Sequence, residues 1–321
     1  MNPRASLALL SCLLAAALAA GCGGGGGGGS PLPPSSGGGG SGAPPPPPQT
    51  SGQYLYVAHN YTVDIYALPL TSFSTPAFSI SNLNDAVGLA FDANGDLYVT
   101  QIGGNASSLP GNSVAIFAPP FSASSTPAVV ITNGLSAPRA VAVDASGNLY
   151  VGNGNDVIDV FTPPFSASSA LATSFSTVGS ATLPAGMGFD AKGNLYVANN
   201  FANDIDVFTP PFTSNSTAAY VIGNLSGAQD VAFDANGNLY VSYGNAIGVF
   251  TLPFSTSSAP AYTIGNLNGP YGIGFDKNGN LYVVNNATNT IMMFSPPFSA
   301  SSAPAVTLTV SGSTPERLAI R

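Results

Sequence analysis

The chain has no tryptophan, a single histidine and only 6 lysines and arginines among 321 residues. Each shortage excludes something. Without a basic stripe there is nothing to displace counterions from phosphates, so nucleic acid is not an expected partner. The same lack argues against an electrostatic grip on anionic lipid. A histidine-based zinc site needs at least three protein ligands, and His59 stands alone. His59 is also the lone candidate imidazole base, so no nucleophile–base pair is evident. Glycine runs occur, but without a lysine or a following helix to make a phosphate loop. Cysteine is limited to Cys12 and Cys22. Charged residues make up 6% of the chain against 45% hydrophobic. That balance points to a buried core under a Ser/Thr/Asn surface, and excludes disorder through excess charge over most of the length.

The N-terminus carries an address. A short basic start, "MNPR", precedes the apolar run "ASLALLSCLLAAALAA", which has the length of a signal peptide and is short for a membrane span. It ends in "LAAGC", which resembles a bacterial lipobox. That resemblance implies a signal peptide over residues 1–21 and lipidation of Cys22. An ordinary secreted protein is the alternative. Gly23 in place of Asp implies sorting to the outer membrane, facing either the periplasm or the exterior. Loss of Cys12 with the signal peptide leaves one thiol, so no disulfide forms within the mature chain. Residues 22–52 read as a Gly/Pro/Ser-rich tether, with "PPPPP" as a stiff polyproline II segment.

From residue 53 the chain repeats itself. Leu-Tyr-Val triplets begin at Leu55, Leu97, Leu149, Leu195, Leu239 and Leu281. Each unit supplies four short β-type runs, such as "YGIGF", "NLYVV", "TIMMF" and "AVTLT", punctuated by Pro and Gly. No helical period follows residue 22. Four-stranded units of this length, repeated six times, predict an all-β, six-bladed β-propeller over 53–321. The first unit lacks its leading strand, and the chain ends in "PERLAIR", which looks like that strand. A shared blade is therefore expected, with Glu316–Ile320 beside Leu55–Val57, removing a free sheet edge. The triplets and the "FDxxGNLYV" strings resemble NHL-repeat propellers, particularly exported bacterial ones. The resemblance speaks for fold; such a fold hosts many activities.

"FDANGNLYV" at 233–241 raises a choice between an oxygen-rich metal loop and a turn. The third loop position is Asn94, Ser146, Lys192, Asn236 and Asn278 in successive copies. A lysine does not serve beside a cation, whereas a type I turn with a left-handed Gly accepts every copy. Phe121, Phe165, Phe212, Phe254 and Phe298, one per "PF" loop, are expected to seal the bottom of each sheet in preference to forming a sugar platform.

Candidate chemistry gathers at the opposite end. Counting back from the repeated Asp, the fifth position reads Val87, Arg139, Ala185, Gln229, Tyr271 and Glu316. The fourth includes Asp230 and Arg317. Glu316 is the only glutamate of the chain. Loops between second and third strands add His59, Asn199 and Asn285. The candidate ligand-binding set is thus Arg139, Gln229, Asp230, Tyr271, Glu316, Arg317, His59, Asn199 and Asn285. Amides and hydroxyls suit neutral polar ligands such as sugars. The competing reading is structural: ion pairs tying the closing blade, and Asn closing turns. The favoured function is a lipid-anchored, non-catalytic binding scaffold for an envelope protein or glycan, expected to be monomeric and to need no metal or other cofactor. Gluconolactonase-like propellers hold a divalent metal with Glu, Asp and Asn, so a Ca-dependent lactonase or esterase using Glu316 and Asp230 is the alternative. A spacer or assembly module without a small ligand is the third reading.

Overall fold

The computed structural model describes residues 52–103, 109–312 and 314–321. The expected signal peptide, Cys22 and nearly all of the expected tether lie outside the described residues.

The period-2 runs form strands, and the strands form six four-stranded antiparallel sheets. Blade 1 joins Leu318–Ile320 to Tyr54–His59, Thr62–Ala67 and Phe78–Ile80. Blade 2 holds Ala86–Phe91, Leu97–Gln101, Ser113–Phe117 and Val129–Ile131. Blade 3 holds Ala140–Val143, Leu149–Gly152, Val157–Phe161 and Thr173–Ser176. Blade 4 holds Pro184–Phe189, Leu195–Asn199, Asp204–Phe208 and Tyr220–Ile222. Blade 5 holds Asp230–Phe233, Leu239–Tyr243, Ala246–Phe250 and Tyr262–Ile264. Blade 6 holds Pro270–Phe275, Leu281–Asn285, Thr290–Phe294 and Val306–Thr309. The six first strands pack side by side in a ring. The one helical element among the described residues is a 3-10 turn, Asn286–Thr288.

In blade 1, Leu55 pairs with Ile320 and Val57 with Leu318. The ladder strand begins at Leu318, two residues later than the sequence pattern suggests. Pairs of backbone bonds continue it at both ends: Glu316 N–H to Ala58 O at 2.9 Å with Ala58 N–H to Arg317 O at 2.8 Å, and Tyr54 N–H to Arg321 O at 2.6 Å with Arg321 N–H to Tyr54 O at 3.0 Å. The Arg321 guanidinium donates to Gly95 O in the turn of blade 2 at 3.0 Å and lies 5.9 Å from the Phe91 ring centre.

The "FDxxGN" stretches are turns, and their carboxylates are fully engaged. Asp234 Oδ1 accepts from the Asn236 and Asn238 backbone N–H groups, both at 2.9 Å, and its Oδ2 accepts from Asn238 Nδ2 at 2.8 Å. Gly237 takes a φ of +79°, a left-handed value that costs an L-residue but not glycine. In the four other copies the Tyr of the triplet donates to the repeated Asp, at 3.2 Å for Tyr150 to Asp144 and Tyr282 to Asp276, and at 3.4 and 3.5 Å for Tyr98 to Asp92 and Tyr196 to Asp190.

These tyrosines also lock the seams between blades. Tyr240 of blade 5 meets Phe275 and Phe298 of blade 6 edge-on, with centroids 4.8 and 5.9 Å apart. The trio recurs as Tyr56–Phe91–Phe121, Tyr150–Phe189–Phe212 and Tyr196–Phe233–Phe254. Each such aromatic pair contributes about 0.5–1.5 kcal/mol beyond area burial. The "PF" phenylalanines therefore belong to the inter-blade core. At the seam between blades 6 and 1, Tyr282 instead packs with Leu70 and Ile320.

Crowding near the axis explains the small residues on the first strands. A Cβ on Gly186 would sit 2.5 Å from Gln229 O, and one on Gly272 2.7 Å from Arg317 Cα. Pairing of first and second strands is irregular between Ala86 and Leu89, Pro184 and Gly186, and Pro270 and Ile273. Such bulges re-aim side chains, and here they fall at the positions lining the mouth.

Candidate functional site at the channel mouth

Arg317 precedes the closing strand, and its side chain crosses the axis. Its Nη2 donates to Ala185 O of blade 4 at 2.9 Å and to Gln229 O, at the start of blade 5, at 3.0 Å. Gln229 Oε1 adds a contact at 3.3 Å, and the guanidinium carbon lies 5.3 Å from the Tyr271 ring centre. Arg317 is 5% exposed. It spans the mouth as a crossbar, fixed by carbonyl oxygens.

Asp230 sits against it, nearly buried. Its Oδ1 accepts from Val231 N–H at 3.0 Å and its Oδ2 from Ile273 N–H of blade 6 at 3.1 Å. Burial pushes its pKa up to about 6, against the opposing pull of the Arg317 charge and these two backbone bonds. The space lined by Arg139, Met187, Asp230 and Arg317 measures about 30 Å³. That holds a water molecule, for which roughly 10–15 Å³ suffices.

Above the crossbar the rim carries mixed charge. Burial raises the Glu316 pKa; the Arg317 and Arg139 charges draw it back, Asp85 pushes it further up, and Asn286 donates to Oε1 at 3.3 Å. Asp85 is likewise raised by burial and steadied by Arg139. The backbone of Arg139 is pinned: its N–H donates to Gly152 O at 2.8 Å, and its carbonyl accepts from Thr100 Oγ1 at 2.9 Å. Its Nε is buried with no hydrogen-bond partner among the described residues.

The structure thus brings Arg139, Gln229, Asp230, Tyr271, Glu316 and Arg317 to one mouth. His59, Asn199 and Asn285 lie elsewhere, buried inside blades at 2%, 0% and 0% exposure. They end second strands, where a polar side chain ties the blade together or holds the crossover from the preceding blade. His59 Nε2 lies 3.2 Å from Asp64 Oδ2. Asn199 Nδ2 donates to Asp204 at 2.9 Å, and Asn285 Oδ1 accepts from Asn268 N–H at 3.2 Å. Gln101 and Asn153 hold Asn84 N–H and Ser136 N–H in the same way.

Other contributors escape the repeat pattern. Asp85 lies in a crossover with a φ of +57°, at a left-handed position filled by Ala137, Leu183, Gly227 and Gly269 in other blades. Thr100 and Ser242 hold the carbonyls of Arg139 and Tyr271, the latter at 2.6 Å. Their signal is a hydroxyl directly after the Leu-Tyr-Val triplet, where other blades carry Ala, Gly or Val.

The mouth fits a divalent cation poorly. Calcium takes about six to eight oxygen ligands. Here both Asp230 oxygens already accept backbone N–H groups, Asn286 presents its amino side to Glu316, and a guanidinium fills the centre. No group of three His, Cys, Asp or Glu side chains placed to hold a metal occurs among the described residues.

Fold and mouth together define the class: an all-β, six-bladed propeller whose axis is barred by an arginine. No protein-family model and no curated protein sequence matches the chain. Solved structures do. The periplasmic gluconolactonase of Pseudomonas aeruginosa is 13% identical, with 84% of this chain and 99% of that chain covered and a TM-score of 0.63. A putative 6-phosphogluconolactonase from Bacteroides fragilis is 15% identical, with 86% and 99% covered and a TM-score of 0.60. Virginiamycin B lyase from Staphylococcus aureus is 13% identical, with 72% and 73% covered and a TM-score of 0.53. At these identities the likeness is one of fold.

Proposed function

We propose that this chain is a non-catalytic recognition scaffold of the NHL-repeat type, lipid-anchored through Cys22 at the outer membrane, that binds a polar envelope ligand or protein through the rim of its top face. One observation carries this reading. The rim groups Arg139, Glu316, Asp85 and Asn286 surround an axis crossed beneath them by the Arg317 side chain, with about 30 Å³ of space beside it. Small-molecule reaction sites occupy roughly 300–1,000 Å³. A shallow charged rim over a barred axis suits surface recognition, and Arg139 brings a buried Nε still lacking a partner.

The reading is tested with an Arg139→Ala/Glu316→Ala double variant, both side chains being part-exposed. Envelope extract is passed over immobilised wild type and variant, and retained protein and glycan are compared. The wild type is expected to retain material that the variant loses, with the thermal midpoint of the variant within a few degrees. Equal retention by both proteins sinks the assignment. The gluconolactonase names among the fold neighbours make lactone hydrolysis the rival outcome. Turnover of glucono-1,5-lactone above the spontaneous rate, abolished in the double variant, would replace the scaffold reading with an enzymatic one.

A further inference from the structure

A larger cavity lies on the opposite face, in the seam between blades 3 and 4. It measures about 480 Å³, inside the size range of small-molecule sites. Tyr150 and Phe212 form its aromatic part, with rings 5.3 Å apart at 76°. Asp144, Asn148, Thr162 and Thr173 supply the polar lining.

The seam between blades 4 and 5 is built from the same parts one repeat on, with Asp190, Asn194, Tyr196 and Phe254, yet its cavity is about 300 Å³. Pro210 lines the first where Leu252 lines the second, and the first residue of the fourth strand also differs. Thr173 pairs with Val160 in blade 3; in the same register Tyr220 pairs with Val207 in blade 4, and Tyr262 with Val249 in blade 5. The Tyr220 ring lines its seam, and its hydroxyl meets that of Tyr196 at 3.1 Å. Thr173 has no ring to do this. Val129 and Val306, the counterparts in blades 2 and 6, match its size but lack the hydroxyl.

The lining chemistry narrows the ligand. Asp144 is engaged on both oxygens: Oδ1 accepts from Ser146 and Asn148 N–H at 2.9 and 2.8 Å, and Oδ2 from Asn148 Nδ2 at 2.8 Å and Tyr150 OH at 3.2 Å. It offers little to a cation, and no Lys or Arg lines the cavity to hold an anion. Tyr150 is buried at 3% exposure, so the part-exposed Phe212 ring and the threonine hydroxyls remain. Together they match a neutral ring with one apolar face and several hydroxyls.

We propose that this seam is a binding site for a neutral sugar residue, separate from the channel mouth. It is independent of the rim reading, since the two sites share no residue. The repeat itself supplies the test. Thr173→Tyr installs the residue that blades 4 and 5 already accommodate, so it is expected to fill the cavity without loss of fold. Cellobiose, maltose and chitobiose serve as probes, followed by saturation-transfer NMR and calorimetry on the full chain. At least one is expected to bind wild type saturably, and Thr173→Tyr to weaken it at least tenfold. Thr173→Val, isosteric and matching blades 2 and 6, is expected to weaken it severalfold through the lost hydroxyl. The Arg139→Ala/Glu316→Ala protein is expected to bind as wild type does. No binding of any of the three disaccharides, unchanged binding by both Thr173 variants, or loss of binding in the mouth variant each overturns the proposal.

Discussion

The two ends of the propeller use similar residues for different purposes. At the bottom, Asp, Asn and Gly recur in the turns of five blades, and almost every polar atom is matched within five residues of chain. At the top, Arg317, Asp230 and Glu316 each occur once; Asp230 and Glu316 take partners from the adjoining blade 6, and Arg317 reaches across to blades 4 and 5. Local matching makes the bottom a repeated structural device. Long-range matching makes the top singular, and singular positions are where a repeat protein departs from its own rule.

Three perturbations test that contrast. The largest effect is expected from Arg317→Met. It removes the donor from Ala185 O and Gln229 O and leaves Asp230 without its neighbouring charge. Breaking charged hydrogen bonds in a buried setting costs about 3 kcal/mol, readable as a lower midpoint in urea. An unchanged midpoint would show that the crossbar is ornamental.

A smaller effect concerns pH. The Asp230 pKa is raised in the folded state to about 6, from a usual value of 3.8. Its contribution to stability is therefore fully present below about pH 4 and is lost as pH rises through about 6. Relative to Asp230→Asn, wild type should lose on the order of 2 kcal/mol between pH 4 and pH 7. Parallel stability–pH curves for the two proteins would contradict this.

The smallest effect is expected at the bottom. Lys192 stands at the loop position that a metal site would need, but its backbone N–H alone serves the turn, donating to Asp190 at 2.8 Å. Lys192→Ala should change stability by less than about 0.5 kcal/mol. A larger change, or a new calcium dependence of the thermal midpoint, would reopen the metal-loop reading for that copy.

How far the sequence could be read follows the same division. The six blades were legible because turn chemistry and strand alternation are written within each unit. The alignment of first strands also located the mouth, and six of the nine candidate site residues meet there. The rest escaped for identifiable reasons. Arg317 is held by backbone carbonyls, which every residue possesses and no sequence advertises. Asn at the end of a second strand looks the same whether it faces solvent or a crossover amide, so Asn199 and Asn285 could not be separated from rim residues. Asp85 fills a left-handed crossover position that holds Ala137, Leu183, Gly227 and Gly269 in other blades, so its role lies in a side chain that the repeat does not carry. The seam cavity depends in part on a threonine standing where neighbouring blades carry tyrosine. Such a difference gains meaning only when Tyr220 is seen lining the adjacent seam.

Arrays of identical modules are stabilised mainly between nearest neighbours, so they can melt or assemble piecemeal. Arg317 couples blades that are not neighbours in the ring: it leaves blade 1, hydrogen-bonds at blades 4 and 5, and rests against a ring from blade 6. A ring missing any of these would leave a buried cation under-solvated. One side chain thus links the integrity of four modules, and pushes the unfolding of a modular array towards an all-or-none event.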